Sequence, residues 1–273
     1  MPLDPIRPLA RVAGALAAAA VVLAGATDAR TEDGFQSLFG SGWTVGGALV
    51  VSPKYEGSDS YEVTGAPFIF PGSPFGGSGI VTFSGIDSLQ IRVIRQGVFE
   101  AGPLVGLRFG RDEDDGPLLR GLGDVDGGVV LGGYGAVRLG SFIFTTSYHH
   151  QVGGDDTGGL LRLRGAFEVQ VTPATKLTFG VGTNYATDEY MDAFFSVTPA
   201  QAANSVAGLP IYDADAGFKD VFLSVTAAMQ LDQRWGLFLS ASYAQLVGDA
   251  GDSPVIETQD QFTGTLAVTY KLY

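Results

Sequence analysis

Over the last thirteen residues, Gln261 to Tyr273, apolar and polar side chains alternate without a break. Phe262, Gly264, Leu266, Val268, Tyr270 and Leu272 share one face, and Thr263, Thr265, Ala267, Thr269 and Lys271 share the other. A period of two marks a strand with one apolar side. The same alternation predicts strands over Gly42–Val51, Glu62–Phe70, Ile80–Ser84, Asp87–Arg95, Val98–Phe109, Gly127–Leu139, Phe142–His150, Leu160–Val171, Lys176–Ala186, Phe218–Gln230 and Trp235–Val247. Pro67 has no N–H for a ladder, so a bulge or a lip position is expected there. A sheet of about twelve strands must close or split.

Connection lengths separate closure from splitting. The segments after alternate strands are short (Gln96-Gly97, Gly140-Ser141, Thr172–Thr175 and Asp232–Arg234). Those between them, near 53–61, 110–126, 151–159, 187–217 and 248–260, are longer, although Pro71–Gly79 and Gly85-Ile86 depart from this parity. Short turns at one rim and long loops at the other fit a transmembrane antiparallel β-barrel with both termini periplasmic. Strand faces agree. A charge facing lipid at mid-depth costs ~2–4 kcal/mol, so Leu161, Leu163, Phe167, Val169 and Val171 face out. Arg92, Glu100, Arg108, Arg138, Arg162, Arg164 and Glu168 are then expected to face the lumen, either as a selectivity lining that favours anions or as ion pairs filling a polar interior.

The N-terminus differs from the rest. Arg7 and Arg11 precede the apolar run Val12–Gly25 and the small residues Ala24-Gly25-Ala26, the pattern of a secretory signal peptide over 1–26. Residues 27–41 are expected to be a polar periplasmic lead-in and 42–273 the barrel. The chain has no cysteine, so thiolate metal sites and a cysteine nucleophile are excluded. A formal charge of −13 with no basic stripe argues against nucleic acid as a partner. The long connections hold most of the acids, including Asp112 to Asp115, Asp155-Asp156, Asp249, Asp252 and Asp260, and 187–217 and 248–260 carry no Lys or Arg. They have no EF-hand spacing, so solvated loops are expected. Lys219, at the base of one of them, is expected to pair with Asp249 or Asp252 at an exposed rim, a pair contributing only ~0–1 kcal/mol. The two histidines, His149 and His150, are adjacent and so face opposite sides of their strand. They cannot form a paired metal site, and no catalytic arrangement is legible by spacing. A non-enzymatic protein without cofactor or metal is expected.

The long loop and the chain's end resemble a known family. Gly208-Leu209-Pro210-x-Tyr212, Gly217-x-Lys219-Asp220 and Gly248-Asp249-Ala250-x-Asp252-Ser253-Pro254 are its most specific parts, with Pro53-x-Tyr55-x-Gly57-Ser58, Gly102-Pro103-Leu104 and Gly110-Arg111 in support. Phe194 and Ser196 stand where that pattern has tyrosine and glycine. Together they resemble the MipA/OmpV family of outer-membrane proteins, named for interaction with the murein hydrolase MltA. The resemblance implies an outer-membrane barrel among lipids and lipopolysaccharide. It also implies a scaffold joining a murein hydrolase to a murein synthase, and it brings no catalytic residues. The motif Gly, Pro, Asp and Ser residues suit turns, so these loops are expected to fold over the barrel mouth.

Overall fold

The computed structural model describes residues 42–71, 80–155 and 157–272. The signal segment, the lead-in, most of the Pro71–Gly79 connection, Asp156 and Tyr273 lie outside the described residues. Thirteen strands form one antiparallel sheet: β1 (Trp43–Pro53), β2 (Tyr61–Pro71), β3 (Val81–Phe83), β4 (Leu89–Ile91), β5 (Ile94–Gln96), β6 (Phe99–Arg108), β7 (Gly128–Leu139), β8 (Phe142–Gln151), β9 (Gly159–Thr172), β10 (Thr175–Ala186), β11 (Gly217–Gln230), β12 (Trp235–Leu246) and β13 (Asp260–Lys271). Apart from β2–β3 and β4–β5, which do not pair among the described residues, neighbours in sequence are neighbours in the sheet, and β13 pairs with β1 from Val51↔Gly264 to Thr44↔Lys271. This is the wall of a β-barrel, in which the last strand joins the first.

The expected count of twelve differs by one because the strand expected over Asp87–Arg95 is interrupted. Both β4 and β5 pair with β6, and the chain steps off the ladder at Arg92 and Val93. Gly102 faces this step, where a Cβ would come within 1.8 Å of the Ile91 carbonyl oxygen. Asp87 does not begin a strand. It sits in the β3–β4 turn, whose backbone lies flat on Gly106. Pro67 causes no bulge, since the β1–β2 register runs unbroken through Gly47↔Pro67. Among the described residues β2 pairs only with β1, and an end strand tolerates a missing donor.

The outward face is apolar. Val63, Ile69, Phe144, Val171, Val181, Leu223 and Phe262 are all more than half exposed, while alternate residues such as Ala166, Asn184 and Ala267 are buried. Such an inside-out pattern is stable only against lipid. Aromatic pairs bound it at both ends: Phe142–Phe167 and Trp235–Tyr270 beside the short turns, and Tyr185–Phe218 and Tyr243–Phe262 beside the long loops. Phe262 and Tyr270 are eight residues apart on β13. That is ~26 Å of strand, or ~20 Å of height at barrel tilt, comparable to the ~25 Å apolar band of outer-membrane barrels.

Candidate functional site

The long connections do not splay. Helices α1 (Asp188–Phe194), α2 (Pro199–Asn204) and α3 (Gly248–Gly251) form within two of them. α2 starts in a capping box, with Thr198 accepting from the Gln201 N–H and the Gln201 side chain accepting from the Thr198 N–H. The four loops joining β1–β2, β6–β7, β10–β11 and β12–β13 then bury one shared core. Tyr55, Leu119, Leu122, Tyr190, Met191, Phe194, Phe195, Val197, Ala250 and Val255 meet there, and Leu119, Phe195, Val197 and Val255 have no exposed surface. A core of this kind makes the loops a cap over the mouth.

The family-motif residues hold this cap together. The Tyr212 hydroxyl donates to the Asp249 carbonyl at 2.9 Å, and Tyr212 bridges Val197 in a two-residue ladder. The Ser253 hydroxyl donates to the buried Phe195 carbonyl. Gly208 and Gly248 take positive φ of 69° and 55°, which the turns at those points require. Asp252 closes α3, donating its N–H to the Gly248 carbonyl, and Pro210 and Pro254 lie in the loops beside these bonds. Ser196, where the family pattern has glycine, receives the Ala214 N–H and donates to Asp192. The loop carboxylates mostly accept from backbone amides: Asp249 from Asp215, Asp188 from Ala216, Asp155 from Asp126, and Glu257 from Asp59. Their repulsion is thus offset by peptide N–H groups. Among the described residues no cluster of three metal-ligating side chains occurs.

Beneath the cap runs a chain of charged and polar bonds. Lys219 donates to Glu56 at 2.8 Å and to Asp220 at 2.7 Å. Asn184 donates to both Asp220 oxygens at 2.8 and 3.0 Å, and its own oxygen accepts from Arg162 at 2.9 Å. Arg162 also grips Asp87 with two nitrogens, at 2.8 and 3.3 Å. His149 Nδ1 lies 3.0 Å from the Asp87 carbonyl, and its Nε2 lies 2.8 Å from the Ser147 hydroxyl. Tyr190 of α1 is clamped from three sides. Its hydroxyl donates to Glu56 at 3.0 Å, and its ring lies 4.8 Å from the Arg108 guanidinium and 5.7 Å from the Lys219 ammonium. Burial, then the Glu56 carboxylate, push the Tyr190 phenol well above the usual tyrosine range, so it remains a donor.

The expected pairing of Lys219 with Asp249 or Asp252 is therefore replaced. Between β10 and β11 the register jumps from Asn184↔Asp220 to Tyr185↔Phe218, leaving Lys219 as the extra residue of a bulge. A bulge re-aims a side chain, so the neighbours Lys219 and Asp220 both turn inward and both are buried. Strict alternation would put them on opposite faces. Glu56, Asp87, Asn184 and Tyr190 were not singled out by the sequence. One signal was present for Asp87, the only charge in the run Val81–Ile91.

The other charges on the concave face are mostly paired. Arg92 meets Glu100 at 3.6 Å, and Glu168 bridges Arg138 at 2.7 Å and Lys176 at 3.2 Å. Arg108 donates to the Thr157 and Gly158 carbonyls, each at 3.1 Å. Arg164 has no ion pair or hydrogen bond among the described residues. The two histidines divide as their adjacency requires: His149 is fully buried, and His150 stacks on Tyr148 at the long-loop rim.

Known proteins resemble the chain in the same sense. Omp26La, an outer membrane protein of Vibrio anguillarum, is 24% identical over 167 residues, covering 61% of this chain and 63% of that protein. YiaT, a putative outer membrane protein of Escherichia coli K12, is 24% identical over 135 residues, covering 45% of this chain and 54% of that protein. The matched region thus spans little more than half the length of these relatives. Among solved structures, the translocator domain of the Neisseria meningitidis autotransporter NalP matches with a TM-score of 0.44 at 11% identity, covering 85% of this chain and 88% of the other. An outer membrane channel from Pseudomonas putida F1 matches with a TM-score of 0.43 at 11% identity, covering 90% and 100%. The model of the MltA-interacting protein MipA matches residues 45–272, so the chain belongs to the MipA family of outer-membrane barrels.

Proposed function

We infer that this chain is a non-enzymatic outer-membrane scaffold in murein synthesis and remodelling, holding a murein hydrolase and a murein synthase near its short-turn rim. The observation that carries this reading is the capped mouth. A barrel in which the β1–β2, β6–β7, β10–β11 and β12–β13 loops share an apolar core above the buried Lys219–Asp220 pair does not serve as a permanently open pore. The family's description supplies the class of partner. In this orientation the short turns, the Trp43 end of β1 and the Lys271 end of β13 face the periplasm, and lipopolysaccharide surrounds the acidic cap. Crosslinked pull-down from native envelopes tests the reading, with an unrelated barrel as control. Enrichment of murein hydrolase and synthase is expected, and recovery no better than the control overturns it.

Ser147, His149 and Asp87 stand in the order of a nucleophilic relay, but the relay has no access. Ser147 and His149 are 4% and 0% exposed, and the Asp87 carboxylate is held by Arg162. We read the trio as a brace between β8 and the β3–β4 turn. A fluorophosphonate probe is expected to leave the protein unlabelled, and Ser147→Ala to destabilise it by about 1 kcal/mol, one hydrogen bond's worth. Labelling that disappears in Ser147→Ala would establish a hydrolase instead.

A further inference from the structure

The geometry points to a second function, independent of the scaffold reading: below the cap the barrel is a conduit for small anions, latched shut by the Glu56–Lys219 pair. Three observations lead there. The first is the lining. On β10 to β13 the inward residues form contiguous hydroxyl rows, with Thr178 paired to Thr226, Thr226 to Ser240 and Ser240 to Thr265 in register. The row beside it pairs Ser224 with Ser242. All are half-buried rather than packed away. The adjoining sector, on β6 to β9, is lined by the buried Leu104, Val130, Tyr134 and Ile143, which narrows the polar part of the lumen to the hydroxyl side.

The second is the charge. Arg164 projects over Gly180 towards Ser224. A Cβ at Gly180 would meet the Arg164 guanidinium at 2.9 Å and the Ser224 hydroxyl at 2.5 Å. Glycine at 180 therefore leaves the guanidinium lying on the hydroxyl rows. Glu168 balances only one of Arg138 and Lys176, and Arg92 cancels Glu100. The described concave face between the polar chain and the short turns thus keeps an excess of positive charge within a molecule of formal charge −13. A guanidinium with hydroxyl donors in a narrow polar passage favours small anions over cations.

The third is the latch. Glu56 belongs to the cap and Lys219 to the wall, and their contact is ionic. The chain has no cysteine to make it permanent. Reversing one partner makes the pair repel and releases the β1–β2 loop from β11.

Planar-bilayer recording of the full chain across a KCl gradient tests this, with limited proteolysis reporting the state of the cap. Wild type is expected to be silent and resistant. Glu56→Lys, and more weakly Glu56→Gln should the first fail to fold, is expected to become cleavable within the cap and to conduct with chloride preferred. Adding Arg164→Gln is expected to lower the anion-to-cation permeability ratio about tenfold. That figure combines attraction lost for one sign with repulsion lost for the other, about threefold each for a unit charge at ~6 Å in water. A cap that stays resistant in both variants overturns the latch. A cleaved but silent protein overturns the conduit, as does a selectivity unmoved by Arg164→Gln.

Discussion

Replacing Lys219 with alanine is expected to destabilise the protein by about 3–5 kcal/mol, the effect of leaving buried charges without their partner. Lys219 is 4% exposed and Asp220 3% exposed, so the ammonium is the neutralising charge for a carboxylate that water does not reach. Glu56, on the cap side, is more exposed and loses less. An exposed pair at a loop base would contribute only ~0–1 kcal/mol, as the sequence suggested. The bulge at Lys219 raises the cost by turning both charges into the buried interior. Denaturant titration in detergent, followed by the fluorescence of Trp43 and Trp235, measures the loss. Lys219→Met is expected to lose nearly as much, because it restores volume but not charge. Joining it with Glu56→Gln is expected to recover part of the loss, since Asp220 keeps its two bonds from Asn184. A loss below ~1 kcal/mol would mean that water reaches the pair.

The wall was legible in the sequence because a membrane barrel writes its geometry into a period of two. The face carrying Leu163, Phe167 and Val171 is the exposed one, and the long connections gather at one rim. What alternation could not show is anything that depends on breaking it. The step at Arg92-Val93 made two strands from one, and the bulge at Lys219 turned two neighbours to the same side. The partners in the polar chain were hidden for a related reason. Glu56, Asp87 and Asn184 come from three separate connections and strands, and only curvature of the wall brings them into hydrogen-bonding range. Alternation makes the lumen arginines one set, but four of the five make salt bridges or hydrogen bonds, leaving Arg164.

Phe195→Ala is expected to open the cap while leaving the wall intact. Phe195 has no exposed surface and is the largest fully buried side chain in the described structure, and its carbonyl accepts the Ser253 hydroxyl from the β12–β13 loop. Phenylalanine-to-alanine changes in a core destabilise by about 3–5 kcal/mol, through lost transfer energy and the cavity left behind. That loss falls mainly on the cap because loop residues make up most of this core, and the strands add only Leu160, Ala186 and Leu246 at their loop-side ends. Cleavage in the segments 187–216 and 247–259 should therefore rise steeply, while heat-modifiable migration of the barrel persists. The variant also separates the two ways in which the mouth is held. It removes apolar cohesion and leaves Glu56, Lys219 and Asp220 in place, whereas Lys219→Ala does the reverse. If the apolar core alone holds the cap, Phe195→Ala is cleaved as fast as a double variant with Lys219→Ala. If core and ion pair hold it together, the double variant is cleaved faster than either single one, and the departure of its free-energy change from the sum of the two single changes measures the coupling between cap and wall.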